Sequence, residues 1–156
     1  MNPIKFEKTA DGIVTLTFDA PDQSANTMTV AFKQAFSDVI HKLVAERDQI
    51  TGVIMTSAKK TFFAGGNLKD LIAVTPEQSD EFFKRSMTTK LEHRLLEKLG
   101  KPVVAAINGT ALGGGWELCL MSHARFCLDD DKIMLGLPEV TLGLLPGAGG
   151  VVRMTR

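Results

Sequence analysis

The chain has 156 residues, of which 44% are hydrophobic, so it is long enough to bury one core. Its 18 basic side chains equal its 18 acidic ones, which excludes the broad basic surface that nucleic acid or an anionic membrane would require. The longest apolar stretches, such as Val103–Ile107, are too short to span a bilayer, and we find no export signal. We therefore expect a domain that binds small molecules or proteins.

Two strands and a helix are predicted at the start of the chain. Residues 4–6 and 13–18 have strand composition, and Asp11-Gly12 between them indicates a two-residue hairpin turn. A helix should follow the polar run 22–27, with Thr29 as its N-cap. The apolar residues that recur there at helical spacing are Phe32, Phe36, Val39, Ile40 and Leu43.

A buried strand at residues 52–55 precedes a second predicted helix. That helix should begin at Thr75-Pro76-Glu77-Gln78, which combines an N-cap, a proline in the first helical position and a glutamine placed for a capping box. Gly100 should end it. Its apolar stripe, which we predict to face the core, consists of Phe83, Met87, Leu91, Leu95 and Leu99.

The remaining elements alternate between strands and a helix. Val103–Ile107 is a second buried strand, Asn108-Gly109 is a turn, and residues 113–115 lead into a short helix at 116–121. A further strand is predicted at residues 125–128. This alternation favours an α/β fold, and we expect residues 1–156 to form part of one domain.

The cysteines and histidines do not indicate a metal site. Cys119 and Cys127 have no further Cys or His in a zinc-binding pattern, and we expect both to be buried, reduced thiols. His41, His93 and His123 lie apart from any nucleophile motif, so we expect structural or surface roles for them.

Four segments have the residue types of a ligand site: residues 62–67, 111–117, 136–139 and 145–150. Glycines let backbone N–H groups approach a ligand closely, although glycine runs usually mark turns. No Gly-Lys-Ser or Gly-Lys-Thr follows any of them, which excludes a P-loop. We expect the backbone N–H groups of Ala64 and Gly114 to stabilise an enolate oxygen. A site for such a negatively charged oxygen needs two hydrogen-bond donors that are already in place.

Two glutamates supply the acid and base that addition of water to a double bond requires. Glu117 lies in the first turn of the glycine-entered helix, and Glu139 lies among apolar residues after a proline. Apolar surroundings and mutual proximity should raise at least one of the two carboxyl pKa values. The alternatives are that Glu117 is a first-turn helix charge and that Glu139 is a surface residue after a turn.

Together and in this order, the segments resemble the crotonase, or enoyl-CoA hydratase/isomerase, family over nearly the whole chain. The resemblance is carried by Phe-Ala-Gly-Gly at 63–66, Asn-Gly-x-Ala-x-Gly-Gly-Gly-x-Glu at 108–117 and Leu-Pro-Glu-x-x-x-Gly-x-x-Pro-Gly-x-Gly-Gly at 137–150. It implies the family's α/β fold, a repeated ββα superhelix. The sequence at 59–66 and 101–114 is most similar to the N-terminal hydratase domain of multifunctional fatty-acid β-oxidation enzymes.

The resemblance implies that Glu117 and Glu139 are the acid/base pair and that the amides of Ala64 and Gly114 form the oxyanion hole. The implied reaction adds water to a trans-2-enoyl-CoA and gives a 3-hydroxyacyl-CoA. A Δ3,Δ2-enoyl-CoA isomerase and an inactive CoA-binding or assembly fragment are the alternatives. The residues implied to contact the substrate are Phe63, Gly65, Gly66, Asn67, Trp116, Pro138 and Gly147.

The resemblance also implies the molecular context. Coenzyme A is part of the substrate rather than a bound cofactor, no metal is required, and NAD enters only through a dehydrogenase domain that follows in a longer protein. The implied assembly is a trimer-type homo-oligomer or a multifunctional complex with a thiolase, in the cytoplasm. Asn67 stands where many relatives have aspartate. Family domains continue past the Pro-Gly-Ala-Gly-Gly segment, so the sequence ending at Arg156 implies a superhelix truncated at its C-terminal side.

Overall fold

A computed structural model describes residues 2–155, so Arg156, where the superhelix is expected to be truncated, lies outside the described residues. The predicted mixture of strands and helices is confirmed. The strands are β1 Ile4–Lys8, β2 Ile13–Phe18, β3 Gly52–Ser57, β4 Val103–Ile107, β5 Ala111–Leu112, β6 Ala124–Cys127 and β7 Leu135–Gly136. The helices are α1 Val30–Ala45, α2 Leu68–Ile72, α3 Ser79–Glu97, α4 Gly114–Leu120 and α5 Gly150–Met154, with 3-10 turns at Arg47–Gln49, Pro76–Gln78 and Pro138–Leu142.

The main sheet has the strand order β1-β2-β3-β4-β6, and a second, two-stranded parallel sheet pairs β5 with β7. β1 and β2 form the predicted antiparallel hairpin, and the other neighbours in the main sheet are parallel. The predicted two-residue turn is wrong, because Lys8 pairs with Val14 and four residues, 9–12, make the connection between the two strands. The Gly12 N–H donates to the Thr9 carbonyl within it.

An aromatic cluster fills the core between α1 and the sheet. The ring of Phe18 on β2 lies 5.4 Å from Phe32, 5.7 Å from Phe62 and 5.9 Å from Phe63, measured between centroids. Edge-to-face packing of this kind stabilises beyond the area that it buries. The helical spacing predicted for α1 is confirmed: its apolar residues are buried, and the Thr29 hydroxyl accepts a hydrogen bond from the Phe32 N–H.

The predicted apolar stripe of α3 is wrong except for Leu99. Phe83 is 64% exposed and Leu91 62% exposed, whereas the residues of α3 that are buried are Glu92, His93 and Leu96. The predicted capping box is confirmed, since the Thr75 N–H donates to Gln78 Oε1, but it begins the 3-10 turn Pro76–Gln78, and α3 follows from Ser79. The other face of α3 packs on α1, where the Ser37 hydroxyl donates to the Glu92 carboxylate at 2.5 Å. The remaining exposed residues of the stripe are Met87 and Leu95.

The two thiols differ in their surroundings. Cys119 is buried on α4, and burial raises the pKa of its thiol to about 12. Cys127 is exposed, which corrects the expectation that both are buried. It lies on β6, the edge strand of the main sheet. Within residues 2–155, no helix has the length and apolar character needed to cross a membrane.

The core assignment predicts contrasting effects for two phenylalanines. Phe32→Ala should lower the free energy of unfolding by about 3 to 5 kcal/mol, because it leaves a cavity among three aromatic neighbours. Phe83→Ala, the matched control on the exposed face of α3, should change it by less than about 0.5 kcal/mol. Urea unfolding followed by circular dichroism measures both, and equal losses would show that α3 buries its apolar stripe.

Candidate active site

The segment at residues 62–67 is tied to the start of α4 through β5. The carbonyl of Phe63 accepts a hydrogen bond from the Leu112 N–H at 3.1 Å, and Phe63 forms a parallel bridge with Ala111. The side chain of Phe63 is fully buried, with its ring 4.7 Å from that of Phe32. The prediction that Phe63 contacts substrate is therefore wrong for its side chain, which belongs to the core.

Gly65 brings this segment close to α4. It has a φ of +97°, and a Cβ at this position would lie 2.9 Å from the Leu112 carbonyl oxygen. A larger residue would meet both a strained backbone conformation and a steric overlap. Glycine at this position therefore allows the neighbouring Gly66 to reach α4.

The amide of Ala64 is not available as the predicted oxyanion donor. It donates to the Asn26 carbonyl oxygen at 2.8 Å. The Gly66 amide makes no hydrogen bond within residues 2–155, and it lies beside Gly114, where an added Cβ would be 3.9 Å from the Gly66 nitrogen. The correction moves the donor from Ala64 to Gly66, which the sequence had indicated only as a substrate contact.

Asn26 is a residue that sequence reasoning missed. Its side chain is fully buried and crosses between segments: its Oδ1 accepts from the Ala20 N–H at 2.9 Å, and its Nδ2 donates to the Ser57 hydroxyl at 2.9 Å. Its backbone carbonyl accepts the hydrogen bond from the Ala64 N–H. The only signal in the sequence was an asparagine in a polar run, which is equally typical of a surface loop.

Gly114 is the first residue of α4, with Gly113 as its N-cap. An N–H at this position has no acceptor within the helix, and in the part of the chain that the structure describes it has none elsewhere. The amides of Gly66 and Gly114 are thus two neighbouring donors without acceptors. Such a pair can bind an oxygen that becomes negatively charged during a reaction.

Glu117 lies on α4 in the predicted first turn, and only 2% of its surface is exposed. Its Oε1 accepts hydrogen bonds from the Ala148 N–H at 2.8 Å and the Gly150 N–H at 2.7 Å. Burial raises the pKa of Glu117, the two N–H donors partly oppose this, and the charge of Glu139 raises the pKa further. The structure therefore brings the two predicted glutamates close enough to interact.

Glu139 is in the 3-10 turn Pro138–Leu142. Its Oε2 is buried without a hydrogen-bond partner in the protein, and a Cβ at Gly113 would lie 3.0 Å from its Oε1. A buried oxygen without a partner costs free energy unless a ligand or water satisfies it. Glu139 therefore places a free carboxylate oxygen close to the N-terminus of α4.

The other predicted substrate contacts lie around this centre. Asn67 is the N-cap of α2, with its Oδ1 accepting from the Lys69 N–H at 3.2 Å. Trp116 is half-buried next to Glu117 and donates its indole N–H to the Met154 sulfur at 3.2 Å. Pro138 begins the turn that carries Glu139, and Gly147 is exposed. Within residues 2–155, no group of three or more His, Cys, Asp or Glu side chains is arranged to hold a metal ion.

Comparisons with known proteins give a consistent result. The family model described as Enoyl-CoA hydratase/isomerase matches residues 8–156. The chain is 44% identical over 148 residues to the fatty acid oxidation complex subunit alpha of Shewanella loihica, an alignment that covers 94% of this chain and 20% of that protein. The corresponding protein of Idiomarina loihiensis is 39% identical over 145 residues, covering 92% of this chain and 20% of that protein.

Solved structures confirm the predicted crotonase fold. The enoyl-CoA hydratase from Bacillus anthracis superimposes with a TM-score of 0.84 at 31% identity, covering 99% of this chain and 57% of that one. The enoyl-CoA hydratase from Thermoplasma volcanium gives a TM-score of 0.82 at 25% identity, covering 99% of this chain and 58% of that one. The chain spans about a fifth of the length of the curated relatives that it matches.

The environment of Glu117 predicts a pH-dependent effect on stability. Because its pKa is raised by folding, burial of the ionised form destabilises the folded chain once the pH exceeds about 4.5, increasingly up to the raised pKa. Glu117→Gln keeps an oxygen for the two N–H donors and removes the charge, so it should increase the free energy of unfolding at pH 7. Urea unfolding at pH 7 and pH 4 measures this, and a gain as large at pH 4 would contradict the electrostatic cause.

Proposed function

The chain belongs to the enoyl-CoA hydratase/isomerase family, and we propose that it adds water to the double bond of a trans-2-enoyl-CoA. The observation that carries the proposal is the arrangement of two interacting carboxylates, Glu117 and Glu139, around the free amides of Gly66 and Gly114. Addition of water to an α,β-unsaturated thioester requires these groups: a base, an acid and a site for the enolate oxygen.

The thioester oxygen would lie between the amides of Gly66 and Gly114. The oxygen of a water molecule forms a bond to the β-carbon. The electrons of the double bond then form a new double bond between the α-carbon and the thioester carbon, and the C=O electrons move to the thioester oxygen, which gives an enolate. Donors that are fixed beforehand stabilise this charge without reorganising. Gly65 and the Phe63 hydrogen bond to Leu112 fix one donor, and the start of α4 fixes the other.

Glu117 is the proposed base. Its Oε1 is held by two backbone N–H groups, so the second oxygen is left to accept a proton from the attacking water. The raised pKa of Glu117 makes the carboxylate a better proton acceptor than an exposed glutamate, as long as the pH is above that pKa. Water supplies the hydroxyl group of the product in this step.

Glu139 is the proposed acid. Its buried Oε2 has no partner in the protein and is free to carry the proton that completes the enolate at the α-carbon. The proton that Glu117 accepts from water balances the one that Glu139 delivers to the α-carbon, and exchange with solvent returns both groups to their starting state. The product is a 3-hydroxyacyl-CoA. An isomerase moves a proton without adding water and needs one acid/base group, so the second glutamate, Glu139, favours hydration.

The chain is proposed to be the N-terminal portion of a hydratase domain within a longer multifunctional protein of fatty-acid β-oxidation. The curated relatives bear the name of a fatty acid oxidation complex subunit and are about five times as long as the matched region. In that protein the product would pass to an NAD-dependent dehydrogenase. The exposed apolar stripe of α3 supports assembly with further protein, as a trimer-type homo-oligomer or with a thiolase. The cytoplasmic location stays a prediction.

Both glutamates should be needed for turnover. We expect Glu117→Gln and Glu139→Gln each to lower kcat on crotonyl-CoA by about a hundredfold to ten-thousandfold, because each removes one proton-transfer group. Loss of the enoyl-thioester absorbance measures the rate. Glu92→Gln is the control, since Glu92 is also buried but contacts Ser37 on α1. Near-normal rates in either active-site variant would reject its assigned role, and thioester binding without turnover by the unaltered chain would favour an inactive binding module.

The role of the Gly114 amide can be tested with a matched pair of variants. Gly114→Pro removes the N–H at the first helical position, which proline tolerates, and should lower kcat by about a hundredfold to a thousandfold. Gly114→Ala adds a Cβ that meets no atom closer than 3.6 Å and keeps the N–H, so it should retain most activity. Equal losses in both variants would indicate a steric effect instead of a lost donor.

A further inference from the structure

An arginine on α5, Arg153, contacts the backbone segment whose N–H groups bind Glu117. The Nη1 of Arg153 donates to the Ala148 carbonyl at 2.8 Å, and its Nε donates to the Glu97 carboxylate on α3. The N–H of Ala148 is one of the two donors to Glu117 Oε1, and the N–H of Gly150 is the other. A continuous chain of hydrogen bonds therefore links α3, α5 and Glu117.

Gly149 is required for this arrangement. It has a φ of +97°, and a Cβ at this position would overlap the guanidinium of Arg153. The glycine therefore lets the arginine reach the neighbouring carbonyl. It also turns the chain so that the amides on both sides of it, those of Ala148 and Gly150, point to the same oxygen of Glu117.

The Arg153 and Glu97 pair is protected from water. Their side chains are 14% and 18% exposed, and the other oxygen of Glu97 accepts from Arg94 at 2.9 Å. Burial alone would raise the pKa of Glu97, but the hydrogen bonds from Arg153 and Arg94 outweigh it and lower the pKa. The carboxylate is thus ionised at neutral pH, and an ion pair that is largely shielded from water holds its geometry better than an exposed pair.

We propose that Arg153, anchored by Glu97, is a positioning residue that aims the Ala148 and Gly150 amides at Glu117 and so fixes the orientation of this carboxylate. The proposal rests on the proposed hydratase function for its kinetic consequence. A base that is displaced by about 1 Å can lose on the order of a hundredfold in rate. Substrate affinity should be unchanged, because Arg153 acts through the loop at 146–149 and not on the bound thioester.

The guanidinium also affects the charge of Glu117. Two charged groups act on the pKa of this carboxyl, Glu139 raising it and Arg153 lowering it. The imidazole of His93 beside Arg153 is fully buried; burial and the charge of Arg153 lower its pKa to about 4 against the opposing effects of the Ala148 backbone and Glu97, so it is neutral near pH 7. Loss of Arg153 should therefore raise the pKa of Glu117 further, which a purely structural role would not do.

Two measurements on the 156-residue chain test the proposal with the variant Arg153→Met. For hydration of crotonyl-CoA, kcat should be lower by up to about a hundredfold with an unchanged KM. In the pH profile of kcat, the limb on the acidic side should move to higher pH. Carbon NMR of the glutamate side chains should show a higher titration midpoint for Glu117 in Arg153→Met than in the unaltered chain. The Glu117 signal is identified because it is absent from the spectrum of Glu117→Gln. Arg153→Lys, which keeps the charge but not the planar fork, should recover part of kcat.

Arg94→Met is the matched control. It removes the other basic partner of Glu97 without touching Ala148, so kcat and the Glu117 midpoint should stay near those of the unaltered chain. If circular dichroism shows that Arg153→Met does not fold, Glu97→Gln takes its place: it keeps the guanidinium charge but removes its anchor, so kcat should fall by a smaller factor. An unaltered kcat and midpoint in the folded variant would overturn the proposal. A chain that does not hydrate crotonyl-CoA would instead reject the proposed function, and the NMR midpoint would still decide the role of Arg153.

Discussion

The close approach of two backbone segments, residues 63–66 and 112–115, is the constraint on which the site depends. A Cβ at Gly115 would overlap the Phe63 carbonyl, and one at Gly65 would overlap the Leu112 carbonyl. The aromatic cluster beneath Phe63 holds one of these segments, and the pairing of β5 with β7 holds the other. Because neither segment can move independently, the amides of Gly66 and Gly114 meet at a fixed separation, and the carboxylates are arranged around them.

The same region contains two polar groups that folding alone would not favour. Glu117 is a buried acid whose charge is opposed by its surroundings, and Glu139 has a buried oxygen without a partner. Both conditions reduce stability unless they are compensated, and here the compensation comes from backbone N–H groups and from a well-packed core. The unfavourable groups also give the site its reactivity, because a carboxylate in water would be a weaker base.

The sequence predicted which residues lie together in the candidate site better than it predicted their hydrogen-bond partners. Glu117 and Glu139 could be placed together because the family motif and the glycine-entered helix both indicate them. Ala64 was assigned in place of Gly66, since the motif locates the segment but does not show that Asn26, 38 residues earlier, already accepts the Ala64 amide. Periodicity likewise identified the apolar face of α3, but it carries no information on which face packs against α1. Both errors concern contacts between distant parts of the chain.

The single tryptophan gives the molecule a built-in optical reporter. The chain has one Trp and no Tyr, so its emission excited near 295 nm comes from Trp116 alone. That indole lies next to Glu117 in the sequence and donates its N–H to the sulfur of Met154 at the end of α5. A movement of α5 relative to α4, or oxidation of the Met154 thioether to a polar sulfoxide, would change the surroundings of the ring. Fluorescence of the unlabelled protein therefore reports directly on the packing behind the acid/base pair.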